Sequence, residues 1–164
     1  MNISRRSTLI ALAAMPLAGA LPALAQDDKS TAVAVSFWDN PDMAMETGLG
    51  YGMDGDMAKA SMGFKLDVST APAGEITFTG VNDSKDIEHE MILAPLPADG
   101  SPLPYDESSG RVDEDAAGAL GEISELQPGE KGTLTLHLKA GDYILFCNIP
   151  AHYMAGMWTL FTVT

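Results

Sequence analysis

Short runs in which apolar and polar residues alternate cover most of this chain. Over residues 31–37, Val33, Val35 and Phe37 fall on one face, and over residues 64–68, Phe64, Leu66 and Val68 do the same with Lys65 and Asp67 between them. A period of two is that of a strand with one buried face. The turn Ala71-Pro72-Ala73-Gly74 leads into a third run at 75–79, and the polar break Asn82-Asp83-Ser84-Lys85-Asp86 precedes a fourth at 87–93. Gln127-Pro128-Gly129 and Lys139-Ala140-Gly141-Asp142 bracket a run at 133–138, and further runs follow at 143–147 and 158–163. Strands of this length between turns predict an all-β fold, an antiparallel sandwich or barrel. Two segments lack the pattern. Residues 39–62 are rich in Met, Gly and Asp. Residues 97–130 are acidic, and 112–126 has room for one short helix opening at Asp113-Glu114-Asp115, since acids favour a helix N-terminus.

The first residues follow another logic. Arg5 and Arg6 make a basic start, an apolar stretch runs over 9–21, and Ala23-Leu24-Ala25 is a small-residue cleavage signal before Gln26. The stretch falls short of the ~20 apolar residues of a membrane span, and Pro16, Gly19 and Pro22 interrupt it. It predicts a secretory signal peptide over 1–25 and a soluble periplasmic protein. Ser4-Arg5-Arg6-Ser7 resembles part of the twin-arginine export signal, from which Thr8 and Ile10 depart. The expected organisation continues with an N-terminal strand and Met/Gly-rich extension over 26–62, then one folded domain over 63–164. The whole chain carries a net charge of −14; the signal holds two arginines and no acids, so without it the charge is −16. Such a balance argues against nucleic acid and anionic lipid surfaces and suits basic partners.

Cys147 is the single cysteine, so no internal disulfide forms in the oxidising compartment that export implies. It stands in Cys147-x₄-His152-x₄-Met157, directly after an apolar strand. Thiolate, imidazole and thioether on one loop are a soft-ligand set; one more histidine completes His₂Cys with a weak axial Met, a blue-copper pattern. His137 alternates with Leu134, Leu136 and Leu138 and is expected in solvent. His89 shares a face with Ile87, Met91 and Leu93, where an imidazole needs a partner. Three other readings of Cys147 are weaker. Most free cysteines are small buried hydrophobes. A nucleophile activated by His152 lacks a glycine loop for an oxyanion, and a closed zinc site would need more Cys or His. Met154 is too near His152 for both to reach one ion, whereas Met157 follows the flexible Gly156; Met157 is the expected axial ligand.

These residues carry a resemblance. From about Gly63 to the C-terminus the chain is similar to the cupredoxin family of small blue-copper proteins, and Cys147-x₄-His152-x₄-Met157 with Pro150 inside it resembles the spacing of the rusticyanin and sulfocyanin branches. Asn82-x₆-His89 resembles the family's asparagine, turn and histidine element. The resemblance implies a Greek-key sandwich holding one type 1 copper ion, Cu(I) or Cu(II), on His89, Cys147, His152 and Met157. Ala151 and Thr159 stand where the family commonly has glycine, and Glu90 where it often has a small donor to the sulfur; alternation directs Glu90 outward.

The function expected is a periplasmic single-electron carrier, a monomer and not an enzyme. The additional His-x-His and His-Cys-His elements of multicopper enzymes are missing. Its partners would be redox proteins with a basic docking surface, such as a cytochrome. The electron port would be the edge of His152 within an apolar patch of Pro150, Ala151, Tyr153 and Ala155. The alternative is a copper-delivery protein using Met43, Met45, Met53, Met57 and Met62 as a second, Cu(I)-selective site. Packing of these thioethers into gaps of the sandwich is the stronger expectation for them.

Overall fold

The computed structural model describes residues 30–164; the signal peptide expected over 1–25 lies outside them. In chain order the strands are β1 (Thr31–Asp39), β2 (Met62–Leu66), β3 (Thr70–Ala71), β4 (Gly74–Asn82), β5 (His89–Pro95), β6 (Tyr105–Asp106), β7 (Arg111–Val112), β8 (Gly121–Leu126), β9 (Lys131–Leu138), β10 (Gly141–Phe146) and β11 (Trp158–Val163). A four-residue helix, α1 (Glu114–Ala117), lies between β7 and β8. One sheet has the order β2-β1-β4-β9 and the other β3-β11-β10-β5-β8. The expected all-β sandwich is present, but its sheets are mixed: β1 runs parallel to β4 and β3 parallel to β11. β1, at the head of the expected extension, is hydrogen-bonded into the first sheet between β2 and β4.

The alternating residues supply the core between the sheets. Val33, Val35, Phe37, Ile76 and Phe78 of the first sheet meet Met91, Leu93, Leu145 and Phe161 of the second. Phe78 and Phe161 pack edge to face with centroids 5.2 Å apart. Phe78 has no exposed surface, so Phe78→Ala removes a ring that the sheets cannot close over. The expected loss is about 3–5 kcal/mol of stability, read from the denaturant midpoint.

The second sheet is buried on its outer face as well. Ile92, Ala94, Ile144 and Phe146 point away from the sandwich core and are covered by Leu103, Val112 and Tyr153. This corrects the outward reading of Glu90. Alternation does send it to the face opposite His89, but that face lies beneath the 97–119 segment, and Glu90 is only 4% exposed. The one short helix expected within 112–126 is present as the single turn of α1. Asp113 caps α1 by accepting from Ala116 N at 3.0 Å, and Gly118, at φ 71°, ends it after one turn. Residues 121–126 form β8 instead. An irregularity in its pairing with β5 sets His89 opposite Leu126 and Met91 opposite Ile123. One extra residue on β8 lets Ile123 and Leu126, three apart, both face the core.

Candidate metal centre

Asn82, at the end of β4, fixes the approach to His89. Its Nδ2 donates to Ile87 O at 2.9 Å and to Leu126 O at 2.8 Å, and its Oδ1 accepts from Ser84 N at 3.0 Å. These bonds tie β4, the 83–88 turn and β8 together, so His89 enters β5 from a set position. Cys147 leaves β10 at the same end of the sandwich. The loop it opens is closed where Cys147 N donates to Met157 O at 3.0 Å, one residue before β11. Inside, His152 N donates to Ile149 O and Met157 N to His152 O, each at 3.0 Å.

His89, Cys147 and His152 converge. Their ligand atoms lie within 4.8 Å of one another, and all three residues are buried. The two Nδ1 atoms are 3.3 Å apart, and Cys147 Sγ is 3.4 Å from His152 Nδ1. With metal–nitrogen bonds of about 2.0 Å and metal–sulfur bonds of about 2.3 Å, such separations correspond to angles of roughly 100–110° at one shared ion. Nδ1 is the nitrogen each ring offers inward; Nε2 of His89 is buried without a partner. A set of two imidazoles and a thiol fits copper or another thiophilic ion.

Electrostatics keep the set uncharged before an ion arrives. Burial, then His152, push His89 down to about 4 against a raising effect from Asp39. Burial lowers His152 too, opposed by Glu88 and Asp39. Burial pushes the Cys147 thiol up to about 12, although backbone N–H groups of Glu90 and Ile149 act the other way. The Glu90 N–H lies 3.5 Å from Sγ. The sulfur's donor is therefore main chain, which leaves the Glu90 side chain free to differ from the family habit.

The acidic 97–119 segment braces the loop from outside. Asn148 Oδ1 accepts from Val112 N at 2.6 Å, while Nδ2 donates to Val112 O at 3.0 Å and to Glu114 Oε1 at 2.8 Å. Arg111 Nη1 donates to Asn148 O at 2.6 Å and lies 3.7 Å from Glu90 Oε1. Glu90 is raised to about 7, by burial first and Glu125 second, with Arg111 opposing. The sequence carried no signal for Asn148 beyond an amide next to the single cysteine.

The two methionines of the loop part ways. Met157 is fully buried in the core cluster that contains Cys147. Met154 is half-buried with the outer cluster, its sulfur 3.3 Å from where a Cβ on Gly50 would stand. Gly156 has φ 94°, and a Cβ there would come within 2.8 Å of Ala60. Ala151 has φ 71°, the one positive value outside glycine among the described residues. That is the left-handed region where Cβ meets the backbone, at a cost of about 1–2 kcal/mol. Ala151→Gly should therefore raise the melting temperature by a few degrees, about 3–5 °C after glycine's entropy is set against the relief, as scanning calorimetry would read.

The expected surface around His152 needs correction. Tyr153 and Ala155 have no exposure. The Tyr153 hydroxyl donates to Tyr51 O and accepts from Leu103 N, each at 3.4 Å, so the ring is a pillar between the Met-rich and acidic segments. His152, 7% exposed, instead reaches a cavity bordered by Met43 and Met45. His137 is exposed on β9 opposite Glu75, apart from the cluster.

The fold is that of the cupredoxins. No protein-family model matches the sequence, and no curated protein matches it. Among solved structures, dithionite-reduced auracyanin from the photosynthetic bacterium Roseiflexus castenholzii is similar over 82% of this chain and 98% of its own, at 20% identity and TM-score 0.51. Rusticyanin from Thiobacillus ferrooxidans is similar over 83% and 78%, at 17% identity and TM-score 0.54. Auracyanin B matches over 82% and 88%, at 22% identity and TM-score 0.51. One rusticyanin structure is described as that of a copper protein.

Proposed function

We propose that this protein is a periplasmic carrier of single electrons that holds one copper ion on His89, Cys147, His152 and Met157. The observation that carries the reading is the convergence of two Nδ1 atoms and one thiol, all buried, at the end of a cupredoxin sandwich. Bound there, copper would supply a Cu(I)/Cu(II) couple with no bond-making chemistry. The chain's part is to keep the ligands still. Asn82 holds the approach to His89, the Cys147–Met157 bond closes the loop, and the Asn148 bonds brace it. Main-chain N–H groups at Sγ stabilise the thiolate, and burial of Met157 beside Cys147 supports it as the axial donor. The decisive experiment is the optical and EPR spectrum of the copper-loaded chain, followed by stopped-flow exchange with a cytochrome. A colourless protein, or one that exchanges no electrons, would overturn the proposal.

Met157→Leu should retain copper and raise the reduction potential, because losing a weak axial donor disfavours Cu(II) more than Cu(I). Each tenfold change in that preference is about 59 mV for one electron. A shift on Met154→Leu, with none on Met157→Leu, would exchange their roles.

Partners would be redox proteins with basic surfaces. Residues 99–130 hold nine acids and one base, Arg111. Attraction over such a field is screened within about 10 Å at 0.1 M salt, so oxidation by a basic cytochrome should slow as ionic strength rises. A rate flat with salt removes the steering role.

A further inference from the structure

Beside the His–Cys–His cluster lies a cavity of about 430 Å³ whose walls include Met43, Met45, Met62, Asp39, Ser61 and His152. Met62 borders the cavity from the core side, whereas Met43 and Met45, 37% and 51% exposed, are not accounted for by packing. The Ser61 hydroxyl is buried and unpartnered. Asp39 stands in the same wall, so a carboxylate borders the space the thioethers line. Thioethers are soft, neutral donors that select Cu(I) over hard cations. His152 belongs to both places: it lines the cavity, and its Nδ1 faces Sγ and the other imidazole.

We propose that this cavity is a capture site for Cu(I), held by the thioethers of Met43, Met45 and Met62, from which the ion passes His152 to reach Cys147. No electron moves in that step. The copper–thioether bonds break, a copper–thiolate bond forms, and the Cys147 proton leaves to solvent. The passage rests on the copper reading of the cluster; the capture site does not.

The test uses the chain without residues 1–25, labelled with ¹³C in its methionine methyl groups and handled without oxygen. One equivalent of Cu(I), as its acetonitrile complex, fills the cluster. A second equivalent should shift the methyl resonances of Met43, Met45 and Met62, and elemental analysis after dialysis should give two copper ions per chain. In Met43→Leu/Met45→Leu, conservative in volume and apolar character, the second ion should be lost. Loading of the first, followed by oxidising aliquots and reading their colour, should slow. A second equivalent that leaves the Met43 and Met45 methyls unmoved overturns the site. Shifted methyls with unaltered loading overturn the passage and leave a separate copper site. A chain that shows the shifts but never colours leaves the capture site standing and refutes the electron carrier.

Discussion

Cys147→Ala abolishes the intense visible absorption expected of the copper-loaded chain, and His137→Ala leaves it in place. The absorption of a thiolate–copper site is charge transfer from sulfur, and Sγ of Cys147 is the only thiol in the sequence. The sulfur is fully buried, receives the Glu90 N–H and stands 3.4 Å from the His152 ring. Alanine removes one atom from a braced loop whose ends remain tied through Cys147 N and Met157 O. The fold should therefore survive while the colour is lost outright. His137 is exposed on the far sheet, apart from the three converging ligands. Colour that persists in the alanine variant, or fades with His137, would refute the assignment.

Copper uptake should release one proton per ion at pH 7. His89, held down near 4, and His152, also lowered by burial, are already neutral and give up nothing. The Cys147 thiol, pushed up to about 12, must lose its proton to bind. Affinity should consequently climb about tenfold per pH unit above neutrality until the thiol's own ionisation is reached. Calorimetry in buffers of differing protonation enthalpy measures the count; zero protons, or two, would contradict it. The copper-free chain carries a linked effect of fixed sign. An imidazole that resists protonation when folded but accepts it when unfolded weakens the fold as pH falls from about 6.5 towards 4.

Much of this molecule was legible because its strands alternate and its ligand loop is contiguous. β11 coincides with the run at 158–163, and Cys147, His152 and Met157 sit on eleven successive residues. What escaped were features made by elements that meet only in three dimensions. β5 reads as a half-exposed strand until the 97–119 segment covers it, although Met91-Ile92-Leu93-Ala94, an unbroken apolar run, was a sign of burial on both faces. β8 hid behind Ile123 and Leu126, whose separation by three suits a helix as well as a bulged strand. Asn148 and Tyr153 looked like ordinary loop residues because their partners lie some 36 and 50 or more positions away. The Met-rich segment could not be divided into core and exposed thioethers without the cavity at His152.

The bond from Cys147 N to Met157 O separates scaffold from chemistry. The β10–β11 ladder ends at Phe146 opposite Trp158, and this bond seals it before the loop begins. Because that seal joins main chain to main chain, closure of the ladder does not depend on which side chains lie between its two ends. Descendants of this chain could vary an exposed loop position such as Pro150, retuning colour and potential, while Tyr153, Ala155 and Met157 stay fixed by the clusters they fill.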